Sequence, residues 1–462
     1  MRSEINRRSL IKRSAAVGLV ALPSAGLLSA CASSGGSTDK GPDKGAVTKD
    51  NPFGVNDSKA LDIVVFDGGY GHDYATALGK LYETKHKGAK SSVLPTQDIS
   101  GKLQPRFNAG TPPDVIDDSG AKQIKLDVLD KAGQLADLTQ LLDAPYIDDP
   151  SKKIRDVLQP GTIETGMLNG KFKQLSYVYT VWGLWYSGKL FKEKGWTEPK
   201  TWADFISLCG EIKKAGIAPF IHQGKYPYYI NVVIMDLIAK NGGTDLQKRI
   251  DALDPTVWDE PAAKAAVEAV YQIVDKDLLY PGTNGLTHIE SQTRWNEYKA
   301  AFIPCGSWLE NEQLKSTPSD FDMKFMPMPS LPGDKLPFAA IRAGAGEPFV
   351  VPEKAGNKAG GLEFLRLMLT KEGSGKFAAA ANSLTVLKDG VGSDVQLRPG
   401  TAATVTVLKA AGANTFNYNY PNTASAFGTD LETASGELMA KRLTPAQWLA
   451  KAKEAATKAK KG

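Results

Sequence analysis

Short apolar runs of strand character alternate with stretches of helical spacing in the first part of the chain. That alternation limits the fold more than any other feature. Leu61-Asp62-Ile63-Val64-Val65-Phe66 reads as a buried strand. Gly68-Gly69-Tyr70-Gly71 turns the chain, and residues 73–85 place Tyr74, Ala77, Leu78, Leu81 and Tyr82 at helical spacing. A second strand is predicted at 91–94 and a helix over 99–108. Thr111-Pro112-Pro113 breaks the chain before a short strand at Val115-Ile116, which ends in Asp117-Asp118-Ser119. Strand–helix alternation of this kind predicts an α/β protein on a largely parallel sheet.

The middle of the chain has a different texture. Tyr177, Tyr179, Trp182, Trp185 and Tyr186 crowd together. Thr201-Trp202-Ala203-Asp204 has the form of a capping box opening a helix with Phe205, Leu208, Cys209 and Ile212 on one face. Gly243 and the Pro255 region punctuate further helices, and Pro261 suits the first turn of a helix carrying Val267, Val270 and Ile273. Ala300-Ala301-Phe302-Ile303 leads as a strand toward Gly306-Ser307-Trp308, and Thr444-Pro445 opens the last helix. The stretch from residue 60 to 455 is too long for one ordinary core, so two lobes are expected. No internal repeat is apparent.

The first thirty residues are of another kind. Arg2, Arg7, Arg8, Lys12 and Arg13 precede an apolar stretch from Ser14 to Ala30, and Leu28-Ser29-Ala30-Cys31 follows the pattern of a lipoprotein cleavage site. The run is broken by Gly18, Pro23 and Gly26, which argues against a membrane-spanning helix. Residues 1–30 therefore read as a signal peptide, with Cys31 as the acylated residue. Asn6-Arg7-Arg8-Ser9-Leu10-Ile11-Lys12 is similar to the twin-arginine export motif. Residues 31–59 are rich in Ser, Gly, Asp, Lys and Pro and read as a flexible tether. The expected location is the outer face of the cell membrane, with the lipid as the sole membrane contact.

Charge supports that reading. The chain carries +5, but five basic residues and Glu4 put +4 of it in residues 1–30. What remains is near neutral and gives no electrostatic case for nucleic acid. Beyond Cys31 only Cys209 and Cys305 are left. They are a disulfide pair or, the reading favoured here, two buried thiols.

No enzyme signature is present. Gly-x-Ser-x-Gly and His-Glu-x-x-His are absent, and His72, His86, His222 and His288 are scattered singly. The Gly68–Gly71 turn lacks a phosphate-gripping Lys-Ser/Thr. No cofactor or metal is expected. Paired acids such as Asp117-Asp118 serve glycoside hydrolysis only at a set separation across a sugar, which a sequence does not supply. In open α/β sheets, ligands sit beyond the carboxyl ends of strands. A sugar presents a flat C–H face and a rim of hydroxyls, so its site wants rings and carboxylates or amides. Tyr70, Trp182, Tyr228 and Trp308 are the candidate rings. Asp67, Asp118, Gln223, Glu310 and Asn311 are the candidate rim. Trp185, Trp202 and Trp258 are assigned to core or surface. Trp308 leads, because Gly306-Ser307 leaves the backbone open before it and Glu310-Asn311-Glu312 follows.

An ordered set of segments carries a family resemblance. Ala109-Gly110-Thr111-Pro112-Pro113-Asp114-Val115, residues 175–186, Thr201-Trp202-Ala203-Asp204-Phe205, Phe302-Ile303-Pro304-Cys305-Gly306-Ser307-Trp308 and the helix 363–371 occur in the order seen in family 1 extracellular solute-binding proteins of ABC importers. The match spans about residues 60–450. His222-Gln223-Gly224-Lys225-Tyr226-Pro227-Tyr228-Tyr229 and residues 305–312 bring it nearest to actinobacterial lipoproteins that bind N-acetylglucosamine and N,N′-diacetylchitobiose.

The resemblance implies a two-lobed α/β fold with the ligand in an interlobe cleft. Residues 60–176, with 342–388 returning, make the first lobe; 177–341, with 389–455 returning, make the second. Crossings are expected near 175–180, 338–342 and 387–393. Tyr70 and Asp118 then come from the first lobe, and Trp182, Tyr228, Trp308 and Glu310 from the second or the hinge. Arg342 and Glu347 lie near the second crossing and either contact ligand or brace it. The implied function is capture of an amino sugar or its short oligomer by hinge closure, without catalysis, for two permease subunits and a cytoplasmic ATPase. The protein is expected to be a monomer. The alternatives are another neutral sugar or oligosaccharide as ligand, and, further off, an extracellular glycosidase.

Overall fold

The computed structural model describes residues 45–388 and 396–461. The export segment, Cys31 and part of the third expected crossing lie outside the described residues. No helix among the described residues is long and apolar enough to cross a membrane.

The strands are β1 (Leu61–Phe66), β2 (Ser91–Thr96), β3 (Val115–Asp117), β4 (Met167–Leu168), β5 (Lys171–Phe172), β6 (Leu175–Ser187), β7 (Ala218–Phe220), β8 (Ala300–Gly306), β9 (Met323–Met326), β10 (Ile341–Val350) and β11 (Thr415–Phe416). β4 and β5 form a separate hairpin. The rest make one sheet in the order β2-β1-β3-β10-β6-β8-β7, with β11 beside β10 and β9 beside β6.

β1 pairs in parallel with both β2 and β3. The helices Asp73–Lys85 and Ile99–Asn108 are the connections between them, as the alternation predicts. The centre departs from the largely parallel expectation. β3–β10, β10–β6 and β6–β8 are all antiparallel, so the sheet is mixed. β6 and β10 are brought together from remote parts of the chain, and no short strand–helix–strand unit dictates their direction. The aromatic crowd at 177–186 proves to lie within the 13-residue strand β6.

Apolar side chains segregate into two groups of cores. Ile63, Tyr74, Leu78, Phe349, Phe364 and Phe377 form one core on one face of β1, while Val64, Ile99, Leu103 and Ile116 fill the other face. Phe205, Phe220, Ile234, Val267, Phe302 and Trp448 form a third core. Trp185, Trp295, Ile303 and Phe321 form the fourth, across β8. Neighbouring residues Ile63 and Val64, or Phe302 and Ile303, serve opposite faces because strand side chains alternate. The changeover falls in the middle of the two long strands. Val178 belongs to the first group and Val181 to the second, and Ala345 and Ala343 divide the same way.

The segment read as tether is ordered from Gly45. Phe53 and Val55 are buried in the first core. The Asn51 amide nitrogen donates to the Ala46 and Val55 carbonyls, and its oxygen accepts from the Val55 N–H at 2.8 Å. Two apolar side chains and one bridging amide dock a stretch whose average composition is polar. Cys209 and Cys305 are both buried free thiols, in different cores.

Candidate ligand-binding cleft

In the pairing of β6 with β10, Arg342 stands opposite Trp182 and Gly344 opposite Thr180. Strand periodicity turns Thr180, Trp182, Arg342, Gly344 and Gly346 to one side, where they line a cavity of about 470 Å³. Val181 and Ala343, one residue out of phase, point into the core. The cavity walls are loops beyond strand carboxyl ends. Ser119, Gly120 and Ala121 follow β3, Tyr226 and Tyr228 follow β7, and Trp308 follows β8.

The rings form one contiguous set. Trp308 meets Trp182 edge-on, with centroids 4.6 Å apart. Trp182 is also edge-on to Tyr228 at 6.0 Å, and Tyr228 lies 4.1 Å from Tyr229. The Arg342 guanidinium carbon is 5.7 Å from both the Trp182 and the Tyr418 ring centroids, and its Nε donates to Asn417 Oδ1 at 3.2 Å. Two glycines make room for Trp308. A β-carbon on Gly306 would come within 2.1 Å of the indole, and one on Gly69 within 2.8 Å of the Trp308 Cβ.

Behind Trp308 a smaller chamber of about 100 Å³ adjoins the cleft, sharing Tyr226, Tyr228, Trp308 and Glu347 with it. Phe66, Gly69 and Tyr70 close it from the β1 side, and Tyr229, His288 and Glu312 from the other. The Tyr70 hydroxyl is sealed in the core beside Thr180, Ser307 and Ser383, and burial pushes its pKa up. Glu312 is held by His288 at 3.4 Å and by the Gln292 amide at 2.7 Å.

Glu347 has φ +55°, an uncommon left-handed conformation for a non-glycine residue. Its carboxyl lies beside Asp117 and Ser119. Burial raises the Glu347 pKa well above the carboxylate range, with the nearby Asp117 raising it further, and burial raises Asp117 to about 6. Tyr74 donates to Asp117 Oδ2 at 2.7 Å, whereas Asp117 Oδ1 and Ser119 Oγ are buried without partners. Of the two acids, Glu347 lines the cleft and Asp117 stands behind it.

Tyr70, Trp182, Tyr228, Trp308, Arg342 and Glu347 are thus brought together around the two cavities. Five other predicted residues line neither. Glu310 is buried, and its carboxylate accepts from Gly400 N, Thr401 N and Thr401 Oγ1 at 2.7–2.9 Å, closing the N-terminus of the helix Pro399–Ala411. That helix end, with its unpaired N–H groups, claims the acid predicted for the rim. Gln223 is fully buried and donates to the Pro304 carbonyl at 2.9 Å, stapling the loop after β7 to β8. Asp118 is also buried, accepts from Ile124 N at 2.8 Å, and shapes the loop after β3; burial raises its pKa to about 8. Asp67 faces His72 Nδ1 at 2.9 Å, away from both cavities. Asn311 joins two loops, donating to the Gly69 carbonyl and accepting from Arg398 at 2.8 Å.

Asn417, Tyr418 and Tyr420 line the cleft without having been singled out. The alternation Asn417-Tyr418-Asn419-Tyr420 was the available signal.

Residues 68–374 match the family of bacterial extracellular solute-binding proteins. The chain is 37% identical over 426 residues to the diacetylchitobiose binding protein NgcE of Streptomyces coelicolor, covering 91% of this chain and 88% of that one. Among solved structures, a chitin oligosaccharide binding protein superposes with a TM-score of 0.73 at 22% identity, covering 88% of this chain and 100% of that one. The solute-binding protein RafE in complex with raffinose superposes with a TM-score of 0.66 at 17% identity, covering 87% and 100%. At those identities the two structures speak for the fold.

Proposed function

The chain belongs to the bacterial extracellular solute-binding proteins, and from that premise we propose that it is the capture component of a carbohydrate ABC importer, taking N-acetylglucosamine or diacetylchitobiose. The observation that carries the reading is the ring set Trp182, Tyr228 and Trp308 along a cleft floored by Arg342 and Glu347. Rings cover the apolar face of a pyranose, and the Arg342 guanidinium and Glu347 carboxyl take its hydroxyls. The amino-sugar assignment leans on the relative that is 37% identical.

In this reading the two groups of cores are two lobes. The central strands β6 and β10 are crossings that bend as the lobes close on ligand. Ligand shifts the population because it contacts both lobes only in the closed state. A Cys31 lipid anchors the protein outside the cell, where as a monomer it delivers sugar to two permease subunits driven by a cytoplasmic ATPase.

Titration calorimetry with N-acetylglucosamine, diacetylchitobiose, maltose and cellobiose tests this. Heat of binding with the first two is expected. Silence across the whole panel removes the proposal. At 100 times its dissociation constant a ligand should stabilise the fold by about 2.7 kcal/mol, which a thermal-shift screen reads directly.

A further inference from the structure

We propose that the chamber behind Trp308 is a distinct subsite for the acetamido substituent of the sugar, with Glu347 at its mouth accepting the amide N–H. This rests on the amino-sugar reading and names the feature that selects the ligand.

Size is the first argument. The chamber holds about 100 Å³. An apolar cavity of about 150 Å³ accommodates a single six-membered ring. The chamber is therefore too small for a pyranose but has room for a substituent of a few heavy atoms. The adjoining cleft, at about 470 Å³, has room for the rings themselves. A ligand filling both must carry a short side group.

Lining is the second argument. An acetamido group presents one methyl, one N–H donor and one carbonyl acceptor. Phe66, Tyr70, Tyr228 and Trp308 offer apolar surface for the methyl. Glu347 lines both cavities, with its carboxyl beside Ser119 of the cleft wall, so it stands where a substituent would leave the ring. Tyr70 is buried and gives the chamber its ring, while its hydroxyl lies beside Thr180, Ser307 and Ser383. Glu312, the other acid of the chamber, is already engaged by His288 and Gln292. The left-handed backbone of Glu347, between Gly346 and Pro348, is local strain of the kind proteins hold at ligand-contacting positions.

A 2-hydroxyl leaves the chamber's rings uncovered. A free 2-ammonium reaches the carboxyl but brings neither methyl nor carbonyl. Diacetylchitobiose, the glucosamine disaccharide and cellobiose share one β-1,4 frame and differ only at that substituent. Calorimetry of the purified chain with the three is expected to give binding at least tenfold tighter for the acetylated sugar. Glu347→Ala should weaken diacetylchitobiose about tenfold more than it weakens cellobiose. Tyr70→Leu trims the chamber's aromatic wall and should again weaken diacetylchitobiose more than cellobiose. Equal affinity for diacetylchitobiose and cellobiose overturns the subsite while leaving the sugar-binding reading standing. So does an equal loss for all three sugars in both variants. Failure of all three, with N-acetylglucosamine and maltose silent as well, overturns the sugar reading itself, and the subsite with it.

Discussion

The Trp308 indole stands edge-on to the Trp182 indole, with ring centroids 4.6 Å apart and planes at 87°. The two rings come from β6 and from the turn after β8; both line the wide cleft, and Trp308 lines the chamber as well. Neither ring is fully buried. Trp308→Ala removes a stacking face and its support for Trp182. Sugar affinity should fall at least about tenfold, which is about 1.4 kcal/mol. Calorimetry showing full affinity in the variant would take Trp308 out of the site.

Glu310 calls for the opposite result. Its carboxylate satisfies Gly400 N and Thr401 N at the start of the helix Pro399–Ala411. Glu310→Ala leaves buried donors unpaired and should cost about 1–3 kcal/mol of stability. Sugar affinity of the folded variant should stay within about twofold, since the side chain lines neither cavity. A stable variant with lost affinity would return Glu310 to the ligand.

Asp127, in the helix Leu126–Lys131, accepts from Ser425 Oγ at 2.6 Å and from Ser425 N at 3.2 Å. Leu126 packs in one group of cores and Phe427 in the other, so this contact spans the cleft. It also places a carboxylate at the N-terminus of the helix Ser425–Met439, where the helix dipole favours it. Under the proposed hinge closure, Asp127→Ala should weaken sugar binding about three- to tenfold and enlarge the radius of gyration of the sugar-bound protein by X-ray scattering. An unchanged profile with unchanged affinity would mean that the contact does not favour closure.

Asp118 should make stability depend on pH. Its native pKa, about 8, lies above the ordinary 3.8, first because it is buried and further because Asp117 is near. Between those values the native state holds the proton more tightly than the unfolded chain, so this group's contribution to stability falls as pH rises through the window. Asp118→Asn keeps an oxygen for the Ile124 N–H and carries no charge. Its melting temperature should match the parent near pH 4 and exceed it progressively toward pH 8. A constant difference across that range would refute the assignment.

Cys209 and Cys305 are buried, and burial pushes both thiols far toward the unreactive neutral form. The folded protein should resist alkylation at both residues. After denaturation without reductant, both should react, read by mass. A pair that stays blocked until reduced would mean a disulfide.

Much of the architecture was legible because periodicity is local. The run at 61–66 and the spacing of Tyr74, Leu78 and Tyr82 specify a strand and a helix wherever they end up. Trp308 was legible as a cavity-lining ring for a similar reason, since it directly follows a glycine-serine turn at a strand end. Phe53 and Val55 were missed because composition averages over a window, while docking takes only two side chains.

Local order along the chain therefore determined which segments became strands and helices, and that rings and acids gather beyond strand ends. Only the tertiary structure decided which acid served which partner. Glu310 and Glu347 are both acids in cavity-bordering segments, yet one closes a helix ninety residues further on while the other faces the cleft. A buried carboxylate is assigned by whichever unpaired donors the fold brings to it, and those donors come from sequence-remote elements whose position no local pattern encodes.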